Sequence, residues 1–116
     1  APMLVEALKP LRDRIDYAFI YGSVARGSDH AGSDIDLMVV GHDVGLGDLY
    51  AALAPVESQL GRPVKPNVYI LDELRERYAA GQSFIQRVVE QPKEWLVGTE
   101  ADFLQAIQSK PAEPRT

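Results

Sequence analysis

The chain has no cysteine, and among its 116 residues it has only one tryptophan and two methionines. The absence of cysteine excludes disulfides and thiolate-bound zinc, and it fits a reducing compartment. No apolar run approaches the ~20 residues of a membrane span, and no signal-peptide pattern opens the chain. We therefore expect a cytoplasmic protein that does not insert into a membrane.

Basic charge is also scarce, because 12 lysines and arginines stand against 17 aspartates and glutamates, a formal net charge of −5. Binding of nucleic acid across a broad surface needs a positive field, so we expect none from this domain alone. A small basic patch remains compatible with this balance.

The length fits one domain, and nearly half of the residues are apolar, enough for a modest core. We expect this domain to span residues 1–109. The tail 110–116 carries two prolines and no apolar anchor, and we expect it to be disordered. The start Ala1-Pro2 before Met3 favours a domain cut from a longer protein or a residual cloning sequence.

Alternating apolar and β-branched runs predict strands, and apolar residues at helical spacing predict the helices between them. The predicted strands are 17–21, 34–40, 64–71 and a short fourth at 94–97. Pro66 lies inside the third strand and indicates an edge position or a bulge. The fold class is therefore α+β, a small mixed β-sheet of three or four strands. We expect helices packed mainly on one face and the site opening on the other.

Two aspartates, Asp34 and Asp36, open the second predicted strand, where β-propensity disfavours aspartate. Alternate residues of a strand share a face, so the two side chains project together, with Cα atoms about 7 Å apart. Like charges this close repel, and a bound divalent cation relieves the repulsion. The alternative is a capping or salt-bridging pair at a strand edge.

A Gly-Ser turn precedes this pair. Gly22 lets the backbone approach a ligand closely, and Ser23 adds a hydroxyl at the start of a predicted helical turn, where free N–H groups favour anions. Arg26, one turn later, has a forked guanidinium suited to phosphate. Alone, the same residues also fit an ordinary strand-to-helix turn with a solvent-facing arginine.

Gly22-Ser23, ten residues, and then Asp34-x-Asp36 between apolar positions resembles the signature of the DNA polymerase beta-like nucleotidyltransferase superfamily. The stretch 19–40 is similar to the minimal nucleotidyltransferases of prokaryotes. The run 61–69 is similar to small nucleotidyltransferase domains fused to winged-helix regulators. The resemblance covers about residues 4–107, and it implies the palm-like fold of polymerase beta.

This resemblance implies metal-dependent transfer of a nucleotide from an NTP, most simply ATP. It implies two Mg²⁺ ions, one that activates the acceptor oxygen and one that stabilises the pyrophosphate leaving group. Carried over to this sequence, Asp34 and Asp36 are the catalytic residues and metal ligands, while Gly22, Ser23 and Arg26 bind the nucleotide. The implied acceptor is a partner protein, such as a toxin encoded beside many minimal nucleotidyltransferases, or a group supplied through a neighbouring domain.

The third predicted strand departs from the superfamily pattern, which places another carboxylate there. Asn67 stands at the expected third-acid position, and an amide can coordinate a metal but cannot act as a base. Two alternatives therefore stay open. The chain is a catalytically impaired NTP-binding or interaction module, or it is the sensor domain of a transcription regulator.

Overall fold

A computed structural model describes residues 2–22 and 34–108. Ser23, Arg26 and the expected tail at 110–116 lie outside the described residues. In chain order the elements are α1 (Pro2–Leu8), a 3₁₀ helix (Lys9–Arg14), β1 (Ile15–Tyr21), β2 (Ile35–Gly41), α2 (Leu46–Leu60), β3 (Val64–Tyr69), α3 (Leu71–Ala79), α4 (Ser83–Glu90), β4 (Glu94–Val97) and α5 (Glu100–Gln108).

The four strands form one sheet in the order β3-β2-β1-β4. β1 pairs antiparallel with both β2 and β4, whereas β3 runs parallel to β2. Helix α2 makes the crossover between the two parallel strands, as a parallel connection requires. The predicted mixed sheet of an α+β fold is therefore confirmed, and Pro66 lies on an edge strand, where its missing N–H removes no ladder bond to a further strand.

The distribution of the helices differs from the expectation that they pack mainly on one face. α1, the 3₁₀ helix and α2 cover one face of the sheet, which we call the first face, and α3, α4 and α5 cover the other, the second face. The reason lies in β2, where alternate residues enter different cores. Leu37 and Val39 belong to the first, and Met38 and Val40 to the second, all with no exposed area. A strand that is apolar on both sides needs a helical layer on each.

The ends of two helices follow from local chemistry. The predicted first helix is divided near Pro10, because α1 ends at Leu8 and the chain continues as a 3₁₀ helix. α2 ends on Gly61 at φ +66, a left-handed conformation that glycine adopts without strain. Within the described residues, no helix is both long and apolar enough to span a bilayer.

Candidate active site

The site lies where β2 begins. Asp34 directly precedes the strand, and Asp36 is its second residue. Cross-strand pairing puts Asp36 between two side chains, because it pairs with Tyr21 of β1 on one side and Lys65 of β3 on the other. All three residues project from the second face, and α4 of that face packs beside them. The structure thus brings the two predicted carboxylates together at one corner of the sheet.

The backbone of Gly22 lies close to the Asp36 carboxylate. Gly22 follows the last residue of β1 and has φ +81, a backbone conformation that residues other than glycine rarely adopt. A Cβ added there would lie 2.7 Å from Asp36 Oδ2. Glycine therefore suits this position in two ways, because it adopts the positive φ and because a Cβ would force the Asp36 carboxylate to shift. Ser23 and Arg26, which were also predicted to bind the nucleotide, fall outside the described residues.

An open cavity of about 330 Å³ adjoins Asp36. The sheet contributes Tyr21, Gly22 and Asp36 to its lining, and the α4 side contributes Phe84, Arg87, Val88 and Gln91. Its volume falls in the range of roughly 300–1,000 Å³ that is usual for small-molecule sites. Carboxylate, guanidinium and aromatic groups thus surround one space large enough for part of a nucleotide.

Electrostatic effects are concentrated on the same residues. Burial raises the pKa of the Asp36 carboxyl, and the nearby charge of Asp34 raises it further, while Lys65 opposes both. Burial also raises the pKa of Tyr21 to about 12, with a further contribution from the Asp36 charge. Among the described residues, Lys65 therefore compensates the Asp36 charge only in part. An added cation would relieve it.

Asn67, the predicted third-acid position, lies on the same face but not beside Asp36. It pairs with Met38 of β2, two residues beyond Asp36, and its side-chain Nδ2 donates a hydrogen bond to the Tyr21 hydroxyl at 2.8 Å. Lys65 is the β3 residue that pairs with Asp36, and its Nζ lies 2.8 Å from Asp34 Oδ2. The hydrogen bond and charge of Asp34 raise the pKa of Lys65, which keeps the amine protonated. The β3 residue that pairs with Asp36 is thus a cation, and Asn67 lies two residues further along the strand.

The chemistry of the donor set can be compared with what a divalent cation needs. Among residues 2–22 and 34–108, no group of three or more histidine, cysteine or acidic side chains could hold a metal ion. At this corner of the sheet, the described residues that offer hard carboxylate oxygens are Asp34 and Asp36. Mg²⁺ is commonly held in this way, by one or two carboxylates together with substrate phosphates and water. The carboxylate pair fits such an ion, provided that a phosphate ligand joins it.

Arg87 was not predicted as a site residue from the sequence. It projects from α4 into the lining of the cavity, together with Phe84, Val88 and Gln91. The spacing of these residues is i, i+3, i+4 and i+7, which marks one face of a helix, and a basic residue within a partly apolar stripe was a usable signal. The sequence could not show that this stripe meets Asp36, because that contact depends on how α4 packs on the sheet.

A buried lysine fixes the end of α4. The Lys93 side chain is only 1% exposed, and its Nζ donates to the carbonyl oxygens of Val89 and Gln91 at 2.7 and 3.1 Å. It also pairs with Glu100 of α5 at 2.9 Å, while Trp95 Nε1 donates to the second oxygen of the same carboxylate at 3.0 Å. This cluster holds the last turn of α4 against β4 and α5, and so helps to position the α4 wall of the cavity.

Comparison with known proteins agrees with this architecture. Residues 4–94 match the family described as Polymerase beta, Nucleotidyltransferase. No curated protein sequence matches the chain. Among solved structures, the chain resembles a toxin-antitoxin with AMP-PNP, at 22% identity over 91% of this chain and 79% of that one, with a TM-score of 0.64.

Two further similar structures are the toxin-antitoxin MntA-HepT and a tri-AMPylated Shewanella oneidensis HEPN toxin in complex with an MNT antitoxin. Each is 20% identical over 91% of this chain and 76% of that one, with TM-scores of 0.56 and 0.57. At these identities the likeness concerns the fold. The sheet, the aspartate pair at the start of β2 and the family match together define the class of protein. The chain belongs to the polymerase beta nucleotidyltransferase family, as a minimal nucleotidyltransferase domain.

Proposed function

We propose that this domain transfers a nucleotide from an NTP, with ATP as the first candidate, to an acceptor on a partner protein, in a reaction that depends on Mg²⁺. The observation that carries the proposal is the corner of the sheet where Gly22 and Asp36 line an open cavity, with Asp34 directly before the same strand. Family membership supports the reaction class, and the titration of Asp36 supports a cation there.

Each part of the site has a task in this proposal. Asp34 and Asp36 would hold the metal, and Gly22 would let the triphosphate pass close to the backbone, joined by Ser23 and Arg26. Arg87 would pair with a phosphate oxygen from the α4 side, since its guanidinium lines the same cavity. Phe84 and Val88 would provide an apolar wall for the base or the ribose. When bound, Mg²⁺ neutralises triphosphate charge and favours departure of pyrophosphate.

The transfer step balances without a redox partner. An acceptor hydroxyl oxygen forms a bond to the α-phosphorus, the bond from that phosphorus to the bridging oxygen breaks, and pyrophosphate leaves with the electron pair. The acceptor proton passes to water. We assign no general base among the described residues, because the adjacent strand places Lys65 and Asn67 rather than a carboxylate near the pair.

Solved structures with a similar fold support a protein as the acceptor. Three of the similar structures are toxin-antitoxin complexes, and one of them holds an AMPylated HEPN toxin. We propose a hydroxyl-bearing side chain of a partner protein as the acceptor for this chain too, in the cytoplasm.

The direct test follows the labelled nucleotide. The full chain is incubated with α-³²P-ATP, Mg²⁺ and a candidate partner protein, such as the product of the adjacent gene, and label on that partner is resolved by gel. We expect partner-bound label together with pyrophosphate release in wild type, and neither in Asp36→Asn. The Asp13→Asn variant, which removes an exposed carboxyl of the 3₁₀ helix, should behave as wild type. Label transfer that persists in Asp36→Asn would contradict the proposal.

A second candidate function is nucleotide binding without turnover. The specific observation in its favour is that β3 pairs Lys65 with Asp36 and Asn67 with Met38, which leaves no third carboxylate beside the pair in the described residues. This function predicts that ATP binding requires Mg²⁺ and Asp36, while pyrophosphate is never released with any acceptor tried. Pyrophosphate release above that of Asp36→Asn would exclude it.

A further inference from the structure

Lys65 places a positive charge beside Asp34 and Asp36. Its Nζ lies 2.8 Å from Asp34 Oδ2, and the register of the parallel strands sets it beside Asp36. The lysine side chain is 65% exposed and that of Asp34 41% exposed. The pair therefore forms at the open edge of the site, on an edge strand, and not within the core.

An ammonium group in this position competes with a metal ion. A divalent cation at Asp34 would share the carboxylate that Nζ now contacts through Oδ2, and two cations on one carboxylate repel each other. Lys65 has four flexible methylenes and solvent on its outer side, so it can leave Asp34 without disturbing a packed element. The amine that leaves is then free to meet other anions at the site.

We propose that Lys65 serves as an internal counter-ion. In the nucleotide-free protein it occupies Asp34 and weakens the binding of a divalent cation alone. When metal and nucleotide arrive together, Lys65 moves from Asp34 to the triphosphate. The second half of this inference rests on the proposed function, because it needs a nucleotide with a triphosphate in the cavity.

The consequence is coupling between the two ligands. Metal alone must displace Lys65, and nucleotide alone must approach two carboxylates, so each ligand binds better when the other is present. Such coupling is reciprocal by thermodynamic necessity. Lys65 would thereby supply part of the positive charge that a second metal ion supplies in the two-ion arrangement, which suits a site to which the described residues contribute two carboxylates.

The chain contains a matched control. Lys9 and Glu6 form an exposed pair at 3.1 Å, with side chains 65% and 67% exposed, on the N-terminal helical segment. Removing either lysine changes the net charge equally and breaks one surface ion pair. Most such pairs contribute little. A difference between the two lysine variants therefore reports position at the site and not overall charge.

The first experiment titrates Mn²⁺ into the full chain without nucleotide and follows free Mn²⁺ by EPR. We expect Lys65→Met to bind Mn²⁺ roughly fivefold tighter than wild type, from loss of one adjacent positive charge. Lys65→Arg, which keeps the charge, and Lys9→Met should both match wild type. Circular dichroism melts of all four proteins confirm that each is folded.

The second experiment measures AMP-PNP affinity at saturating Mn²⁺. We expect Lys65→Met to bind AMP-PNP roughly fivefold more weakly than wild type, and Lys65→Arg to restore it. Equal Mn²⁺ affinities in Lys65→Met and Lys9→Met, or an AMP-PNP affinity unchanged by Lys65→Met, would overturn the inference. If wild type binds no AMP-PNP at all, the proposed function fails, while the Mn²⁺ titration still decides whether Lys65 acts as a counter-ion.

Discussion

The two faces of β2 differ at one position, and that position holds the site. On the first face Ile35, Leu37 and Val39 are all buried in a continuous apolar core. On the second face Met38 and Val40 are just as buried, but the place level with Ile35 and Leu37 is taken by Asp36. Near its beginning, β2 therefore has a polar residue in place of an apolar one. At that point a cavity lies between the sheet and α4 of the second face.

The comparison shows how a small domain accommodates a carboxylate that forms no ion pair with the described residues. Asp36 lies near the beginning of a strand rather than in its middle, and the missing Cβ of Gly22 leaves room for its carboxylate. The rest of the second face stays apolar, with aromatic side chains packed edge to face, such as Phe19 against Phe103 with ring centroids 5.2 Å apart. The polar corner therefore lies beside a closely packed apolar core.

The largest effect on stability should come from adding a charge to the first face. Leu37→Asp places a carboxylate at a position with no exposed area and with no polar partner in its apolar cluster. We expect a loss of more than about 4 kcal/mol of unfolding free energy, enough to abolish the folded state of a domain this size. The measurement is the thermal transition by circular dichroism. A cooperative melt near that of wild type would mean that the two faces are not as different as we describe.

The next effect tests the space beside Asp36. Gly22→Ala must adopt φ +81 with a Cβ 2.7 Å from Asp36 Oδ2, and we expect roughly 1–3 kcal/mol of destabilisation. Gly47→Ala in α2 is the control, because an added Cβ there meets nothing within 4 Å. A helical Gly→Ala change should stabilise by about 0.4–1 kcal/mol. Urea denaturation gives both values, and equal changes in the two variants would remove the argument for close approach.

A smaller effect concerns the α4 wall. Arg87→Ala should weaken ATP binding about tenfold, because one charge-assisted contact to phosphate is lost. Arg77→Ala is the control, since Arg77 pairs with Glu73 within α3 at 3.0 Å and does not line the cavity. Fluorescence polarisation with a labelled ATP analogue measures both. Equal affinities in the two variants would place the nucleotide away from α4.

The smallest effect is a dependence of stability on pH. The folded-state pKa of Asp36 is raised, so the folded protein binds more protons than the unfolded chain once the pH exceeds the ordinary value. The contribution of this group is therefore favourable at low pH and is lost as the pH rises through the folded pKa. Asp36→Asn removes that loss, and its stability relative to wild type should be greater at pH 7 than at pH 4. Urea denaturation at both pH values checks this, with Asp13→Asn as the charge control, and a constant difference would contradict it.

Much of this arrangement could be predicted from the sequence because it is local. The Asp-x-Asp pair on one face of a strand follows from the two-residue period, and Pro66 indicated the edge strand that β3 forms. The short fourth strand at 94–97 was also predicted and is confirmed as β4. Local patterns set which side chains of a strand share a face, and within β2 alternate residues enter different cores as that period requires.

The remainder depends on pairing between distant segments. The parallel register of β2 and β3 decides that Lys65, and not Asn67, pairs with Asp36, and no local signal sets that register. The packing of α4 beside β1 decides that Arg87 reaches the cavity. The second helical layer was missed for a related reason. Apolar residues on both sides of β2 were visible, but a short apolar run does not reveal how many layers cover it.

The most direct test of the central claim is calorimetric titration of ATP into wild type and Asp36→Asn, with Mg²⁺ and then with EDTA in its place. Asp13→Asn serves as the matched control. We expect wild type and Asp13→Asn to bind ATP only when Mg²⁺ is present, and Asp36→Asn to bind at least about tenfold more weakly, since the partly buried carboxylate that attracts the cation is gone. ATP binding that is equal in wild type and Asp36→Asn, or that persists in EDTA, would contradict a metal-nucleotide site at this corner of the sheet.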